Sequence, residues 1–467
     1  MAASTAPPAG AASPGEGSTA GEGSIAVVRP AARLRGEIRL PGDKSISHRA
    51  LLLALLAAGE SRIAGASDGA DVRATADVIA VLGASIQRLE EAKDGRTVGY
   101  RVRSPGAAGI VEPAGVLDCR NSGTTLRLVA GIVAARPLFA VLDGDASLRR
   151  RPMARVAEPL RAMGARVSAR GNRTLPPLAI EGRSPLTAID HTPPVPSAQV
   201  KSCVLLAGLG AEGTTTIHEP IATRDHTERM LRARGVIVAT ELAPGGGRIH
   251  ALTGGQAVRA SDEHVPGDLS GAAFWLVAGA IHPDAEIVLR DVGTNPTRRA
   301  IIDLLRRMGA AIEERSTGPA EDDGIGEPSA DLVVRSSRLR GIEVSPDEVA
   351  AAIDEVPVLC LAAAVATGRT SIRGVGELRH KESDRVAGIT AGLRALGARV
   401  CAEGDEIIIE GGRTLAGAAT ETHDDHRLAM TFAVAGLIAR GETAIRGADS
   451  AAVSYPGFFE ELERVRA

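Results

Sequence analysis

The sequence predicts an α/β protein of two similar lobes, three folding units in each. Three observations lead there. A helix of small and aliphatic residues recurs six times: within Pro41 to Ser61, then near Asn121, Ser197, Gly267, Asp354 and Asp425. An amphipathic helix follows and stops at a glycine, at Gly83, Gly164, Gly235, Gly309 and Gly397; the sixth copy runs out at the end of the chain. Those glycines are 81, 71, 74 and 88 residues apart, which exceeds the roughly 20–50 residues of a solenoid repeat. Units of this size, six in 467 residues, are too much chain for one core, so two lobes are expected. An ordinary α/β chain with coincidental glycines fits less well, because the order of features holds in every copy.

Taken in order, residues 1–24 are Ala, Gly, Pro, Ser and Thr with two Glu, the composition of a disordered tail. It has neither the basic and apolar regions of a secretory signal nor the arginines of a transit peptide. The first strand is expected over Ala32 to Leu40. Pro41-Gly42 then reverses the chain, Asp43 and Ser45 are N-cap residues, and a helix is expected from Ile46 to Ala58. Its leucines point all round the axis, so it should be buried on every side. Yet Lys44, His48 and Arg49 crowd its first turn, and cations beside free N–H groups trap anions. The later copies repeat this plan, and glycine suits the ends of the outer helices because it tolerates positive φ. Residues 315–330 read as a solvated acidic loop.

Net charge of -3 makes nucleic acid and anionic membrane poor partners, and no apolar run is long enough to span a bilayer. Cys119, Cys203, Cys360 and Cys401 form no CxxC pair, so they read as free thiols of a cytoplasmic protein, with no metal site. Of 54 basic residues only Lys44, Lys93, Lys201 and Lys381 are lysine. A chain that uses Arg wherever charge suffices keeps Lys where a compact, deprotonatable ammonium is needed. Lys44 and Lys381 therefore read as functional, Lys93 as a surface turn, and Lys201 as undecided.

Charged residues open the units: Lys44 and Arg49, Arg127 and Arg151, Arg224, Lys381 with Arg385, and Arg427. Acids are interleaved: Asp354-Glu355, Glu382, Asp384, Asp424 and Asp425. If helix N-termini of both lobes face one cleft, it binds a substrate of several negative charges and offers carboxylates for proton transfer. There is no GxxxxGK[ST] and no GxGxxG after a strand, so ordinary nucleotide-phosphate loops are absent.

PGDKSISHRALLLA, NSGTTLR, GDASLRRRPM, SAQVKS, RDHTERM, IDEVP, RHKESDR and DDHRLAM, in this order, resemble the 3-phosphoshikimate 1-carboxyvinyltransferase (EPSP synthase) family over residues 25–467. The resemblance implies an inside-out α/β barrel: two lobes, each of three βαβαββ units with buried parallel helices, related to the RNA 3'-phosphate cyclase fold. It places crossovers near Pro41–Gly42 and His264–Pro266, giving one lobe of residues 25–41 plus 265–467, a second of 42–264, and the active site between them. The implied reaction moves the enolpyruvyl group of phosphoenolpyruvate to the 5-hydroxyl of shikimate 3-phosphate through a tetrahedral adduct, with no cofactor or metal, in a monomer. A carboxylate and an amine with pKa values near neutrality would serve its two proton transfers.

Carried over residue by residue, Lys44, Asp354 and Glu382 are catalytic. Lys44, Ser45, Arg49, Ser197, Gln199, Arg224, Asp354 and Lys381 bind shikimate 3-phosphate. Lys44, Asn121, Gly123, Thr124, Arg151, Gln199, Arg385 and Arg427 bind phosphoenolpyruvate. Gly123 lines the pocket in which the herbicide glyphosate competes, at a close backbone approach, and glycine there implies sensitivity. Two positions depart from the family pattern: Leu128 stands for a Pro, and Val453 for a Lys. The sister enzyme acting on UDP-N-acetylglucosamine has Asn after the first Lys, where this chain has Ser45. RNA 3'-phosphate cyclases need a nucleotide site and a basic face. A non-catalytic anion binder has no use for Lys44 and Glu382 together.

Overall fold

The computed structural model describes residues 24–90, 97–243, 246–317 and 324–466. The expected tail up to Gly23, the Lys93 turn and residues 318–323 of the acidic loop lie outside them.

Twelve helices carry the architecture, in pairs of one inner and one outer. They are α1 (Lys44–Leu56) and α2 (Ala70–Val81), α3 (Gly123–Ala134) and α4 (Ala154–Ala162), α5 (Ala198–Gly208) and α6 (His226–Ala233), α7 (Leu269–Ile281) and α8 (Ala300–Met308), α9 (Val356–Val365) and α10 (Arg385–Ala395), α11 (His426–Gly436) and α12 (Phe458–Val465). The odd-numbered helices are buried nearly all round, as their apolar sequences require. The glycines that stop the outer helices, Gly83, Gly164, Gly235, Gly309 and Gly397, all have φ between 82° and 110°, so each sits where a Cβ would be strained. Helix α1 begins two residues before the expected Ile46, because Asp43 rather than Ser45 caps it, its carboxylate accepting from the Ile46 N–H at 2.9 Å. It ends at Leu56, since Ala57 turns extended.

Each inner helix follows a short strand and leads into a longer one parallel to it. Leu117–Asp118 lies beside Phe139–Asp143, Asp190–His191 beside Thr214–Glu219, Glu343–Val344 beside Arg369–Arg373, and Ala419–Glu421 beside Thr443–Arg446. Antiparallel strands complete each sheet, giving five four-stranded sheets and one of three strands among the described residues. Two short first strands come from far along the chain. Leu34–Arg39 pairs with Ala285–Arg290, and Glu263–His264 pairs with Ile63–Ala64. The expected strand Ala32 to Leu40 shrinks to Leu34–Arg39 because only those residues find that parallel partner. An unexpected strand, Ile25–Val28, supplies the antiparallel partner of Thr443–Arg446. Ser24, expected in the tail, is held by its hydroxyl on Asp449, 2.7 Å away.

Two hydrophobic cores result. One draws on residues 28–40 and 269–465 around α7, α9 and α11; the other on residues 46–265 around α1, α3 and α5. The chain passes between them twice, through Leu40-Pro41-Gly42-Asp43 and Val265-Pro266-Gly267-Asp268. These passages grip each other: the Asp43 N–H donates to Pro266 O at 2.8 Å, and the Asp268 N–H to Pro41 O at 2.9 Å. A Cβ on Gly42 would lie 1.9 Å from Gly65 O, so only glycine fits.

The acidic loop differs from expectation. Arg315 and Ser316 pair with Asp331 and Ala330, and the Glu327 side chain is 3% exposed. Fixed partners at both ends and for Glu327 replace solvent.

Candidate active site

The two cores meet at a seam where Arg224 of one reaches Asp354 of the other, and most predicted residues stand at or just before the first turns of inner or outer helices. Lys44 is the first residue of α1; its Nζ lies 3.2 Å from Asp71 Oδ2 at the start of α2. Arg49, one turn on and buried, donates to the Ser45 carbonyl, to Thr227 Oγ1 and to Ser202 Oγ. Burial pushes its guanidinium down to about 10, against the pull of Glu228 and Asp43.

Helices α3 and α5 bring the next group. Ser122 caps α3, which starts at Gly123; Ser197 caps α5 by accepting from the Val200 N–H at 3.4 Å. The Gln199 amide joins the two helices, accepting from Arg127 Nη1 at 2.5 Å and donating to Thr124 Oγ1 at 2.9 Å. Asn121 donates to Asp145 and accepts from Arg151 Nη2 at 2.6 Å, so it aims that arginine. Around Gly123 the protein presents side chains. A Cβ there would meet Arg127 Nη1 at 2.8 Å and Arg151 Nη1 at 3.4 Å. The close neighbours are guanidinium ends, because α3 turns its first residue toward these side chains.

On the other side, Arg385 opens α10 and is buried among three carboxylates: Nη2 donates to Glu382 at 2.7 Å, Nε to Asp425 at 2.8 Å, and Nη1 to Asp354 at 3.4 Å. Asp354 stands just before α9 and also receives Lys381 at 3.6 Å and, from across the seam, Arg224 Nη2 at 2.6 Å. Burial alone would raise the Asp354 carboxyl; Lys381, Arg224, Arg427 and Arg385 overrule it and hold it well below the usual range. Glu382 behaves likewise: burial raises it, and Arg385, Arg151 and Lys44 bring it far down. The carboxylates are therefore not near neutrality as the chemistry led one to expect, because the protein surrounds them with its own cations. Arg427 is buried in the first turn of α11, and its Nε has no hydrogen-bond partner among the described residues.

Some predicted residues separate from the site. Lys201 is fully buried, 2.7 Å from Glu219 Oε2 and 2.8 Å from Glu228 Oε1. With His250 those acids lie close enough together for a metal ion, but the Lys201 ammonium supplies the positive charge there. Glu355 turns to Ser270 and Arg298, Asp384 caps α10, and Asp424 takes a positive φ on the surface. Leu128, in place of the family's Pro, is core. Val453 reaches the seam with its backbone: a Cβ on Gly69 would lie 2.9 Å from its carbonyl oxygen.

The sequence reading left out Asp71, and named Arg127 and Asp425 among the charges of the cleft without giving them a role. Arg127 lies among Arg155, Arg151 and Glu382; burial first, then the two arginines, push it down to about 10. Asp425 caps α11 with one oxygen and anchors Arg385 and Ser383 with the other. The contact of Asp425 with Arg385 spans 40 residues, so no local pattern points to it.

A family model described as EPSP synthase (3-phosphoshikimate 1-carboxyvinyltransferase) matches residues 28–462. A 3-phosphoshikimate 1-carboxyvinyltransferase of Gloeobacter violaceus is 51% identical over 434 residues, 92% of this chain and 96% of that one. One of Halorhodospira halophila is 49% identical over 92% of this chain and 93% of its own. A solved EPSP synthase of Acinetobacter baumannii superposes with a TM-score of 0.82 at 41% identity, covering 95% of this chain and 98% of that one.

Proposed function

This chain belongs to the EPSP synthase (3-phosphoshikimate 1-carboxyvinyltransferase) family, and we infer from that premise which of its residues perform the reaction. It transfers the enolpyruvyl group of phosphoenolpyruvate to the 5-hydroxyl of shikimate 3-phosphate and releases phosphate, a step of the shikimate pathway toward aromatic amino acids. The observation that carries the residue assignment is Asp354, ion-paired with Arg224 from one side of the seam and with Lys381 and Arg385 from the other. We take the lobes as residues 25–41 with 265–467, and 42–264, which the two cores and the paired Pro-Gly-Asp passages support.

Arg49, Arg224 and Lys381, with Ser45, Ser197 and Gln199, hold shikimate 3-phosphate; Arg151, Arg385 and Arg427, with Asn121, Gly123, Thr124 and Gln199, hold phosphoenolpyruvate; Lys44 reaches both. In the addition step the 5-hydroxyl oxygen of shikimate 3-phosphate bonds to C2 of phosphoenolpyruvate, its proton passes to Asp354, and C3 receives a proton. In the elimination step C3 gives up a proton and the C2–O bond breaks, releasing phosphate. Glu382 and Lys44 serve C3. Dianionic substrates placed among the arginines neutralise the cations that hold Asp354 and Glu382 low, so the carboxyls rise toward a useful basicity as the complex forms. No helix among the described residues is long and apolar enough to cross a membrane; a cytoplasmic monomer remains our reading.

Purified protein is expected to release phosphate only when both substrates are present, without added divalent metal. Release that requires a metal ion, or that proceeds with UDP-N-acetylglucosamine, overturns the assignment. Gly123→Ala puts a methyl against Arg127 and Arg151. Displacing these cations should raise KM for phosphoenolpyruvate by roughly tenfold or less, since guanidinium ends shift more cheaply than backbone. It should weaken glyphosate more, because the longer ligand has less slack. Equal losses for both ligands would remove Gly123 from the pocket wall.

A further inference from the structure

The motif Arg224-Asp225-His226-Thr227-Glu228-Arg229 is only partly used by the substrate site. Its last five residues are polar, consecutive and at most 5% exposed, an arrangement that survives only with partners. Those partners divide by direction. Thr227 accepts from Arg49, and Glu228 pairs with Lys201, both within the lobe that carries the motif. Asp225 and His226 instead reach the other lobe. Asn295 Nδ2 donates to Asp225 Oδ1 at 2.8 Å and to Glu327 Oε2 at 3.0 Å; the other Glu327 oxygen lies 2.8 Å from His226 Nδ1. Thr297 adds its hydroxyl, donating to Asp225 and accepting the Asp225 N–H. Arg224 is the residue immediately before this contact, and its guanidinium crosses to Asp354 of the same opposite lobe.

We propose that Asn295 and Glu327 form a clamp on the first turn of α6 that positions Arg224 across the lobe seam for the phosphorylated ring substrate. The proposal rests on the reading of Arg224 as a shikimate 3-phosphate ligand. Without the clamp only Thr297 holds Asp225 from the other lobe, and Arg224 must find Asp354 and the substrate from a wider range of positions. Neither Asn295 nor Glu327 contacts substrate in this scheme; both are positioning residues, acting through Asp225 and His226. Fixing the loop in advance removes an ordering cost from binding.

The test is a double-mutant cycle on shikimate 3-phosphate affinity, titrated without phosphoenolpyruvate. Glu327→Gln keeps the side chain's shape and loses its charge toward His226; it should weaken affinity by about tenfold, a size usual for coupled sites. Asn295→Ala removes the other half of the clamp and should do the same. In an Arg224→Met background, each change should have no further effect, because the group they position is gone. Unchanged affinity in Glu327→Gln and Asn295→Ala overturns the clamp. Effects that add fully to Arg224→Met also overturn it, since they would report general loosening. Should Arg224→Met alone bind shikimate 3-phosphate normally, the substrate reading of Arg224 fails, and the clamp's proposed purpose with it.

Discussion

Glu382→Gln is expected to lower kcat by about 10²–10⁴-fold, the usual range for losing a general acid–base group, while the affinities for both substrates change by a few-fold. The side chain is one-third exposed at the seam and pairs with Arg385 at 2.7 Å. Glutamine keeps the oxygen that accepts from Arg385, and Asp425 and Asp354 still hold that arginine. Binding is therefore preserved while a proton carrier is lost. The direction of pH dependence follows from the charges. Burial raises the Glu382 carboxyl, but Arg385, Arg151 and Lys44 dominate and lower it. A base with a lowered pKa is ionised above it, so in wild type the acid limb of kcat/KM belonging to this group lies below the ordinary glutamate value of about 4.3. Steady-state kinetics against pH check both statements. A loss shared equally between kcat and substrate affinity would make Glu382 a structural partner of Arg385 and nothing more.

Lys44→Arg is the second large effect, a fall in kcat of roughly 10²–10³-fold, comparable with removal of a preorganised charged donor. Charge is conserved, so an electrostatic anchor would tolerate the change. Two features argue against tolerance. Lys44 stands at the first position of α1, 20% exposed, with its ammonium 3.2 Å from Asp71. Arg127 and Arg151 already crowd Gly123 across the site, and a planar fork has no way to release a proton as Lys does. Near-normal turnover in Lys44→Arg, measured with both substrates saturating, would leave Lys44 with an anchoring role only.

The sequence alone was enough for everything that local chemistry dictates. Inner helices without a polar face had to be buried, glycines such as Gly164 and Gly309 had to end the outer helices, and Lys44, Arg385 and Arg427 had to open theirs. Each is a relation among residues a few positions apart, and cap preferences, helical periodicity and backbone sterics act at that range. The chain order of the motifs carried the family resemblance in the same way. What only the tertiary structure decided is which of these local features face one another. Lys201 stayed undecided in the sequence beside a functional reading of Lys381; one is locked between Glu219 and Glu228, the other meets Asp354 at the seam. Ile25–Val28 has the β-branched residues of a strand, yet nothing local names its partner, a unit more than 400 residues away. Glu327 read as part of a solvated loop and is instead buried against His226. Asp354 and Glu382 read as proton carriers near neutrality and are held far lower by arginines from distant segments. The physical reason is common to all four. Partner choice, desolvation and pKa depend on groups brought together by folding from tens to hundreds of residues apart, and no local pattern encodes that distance.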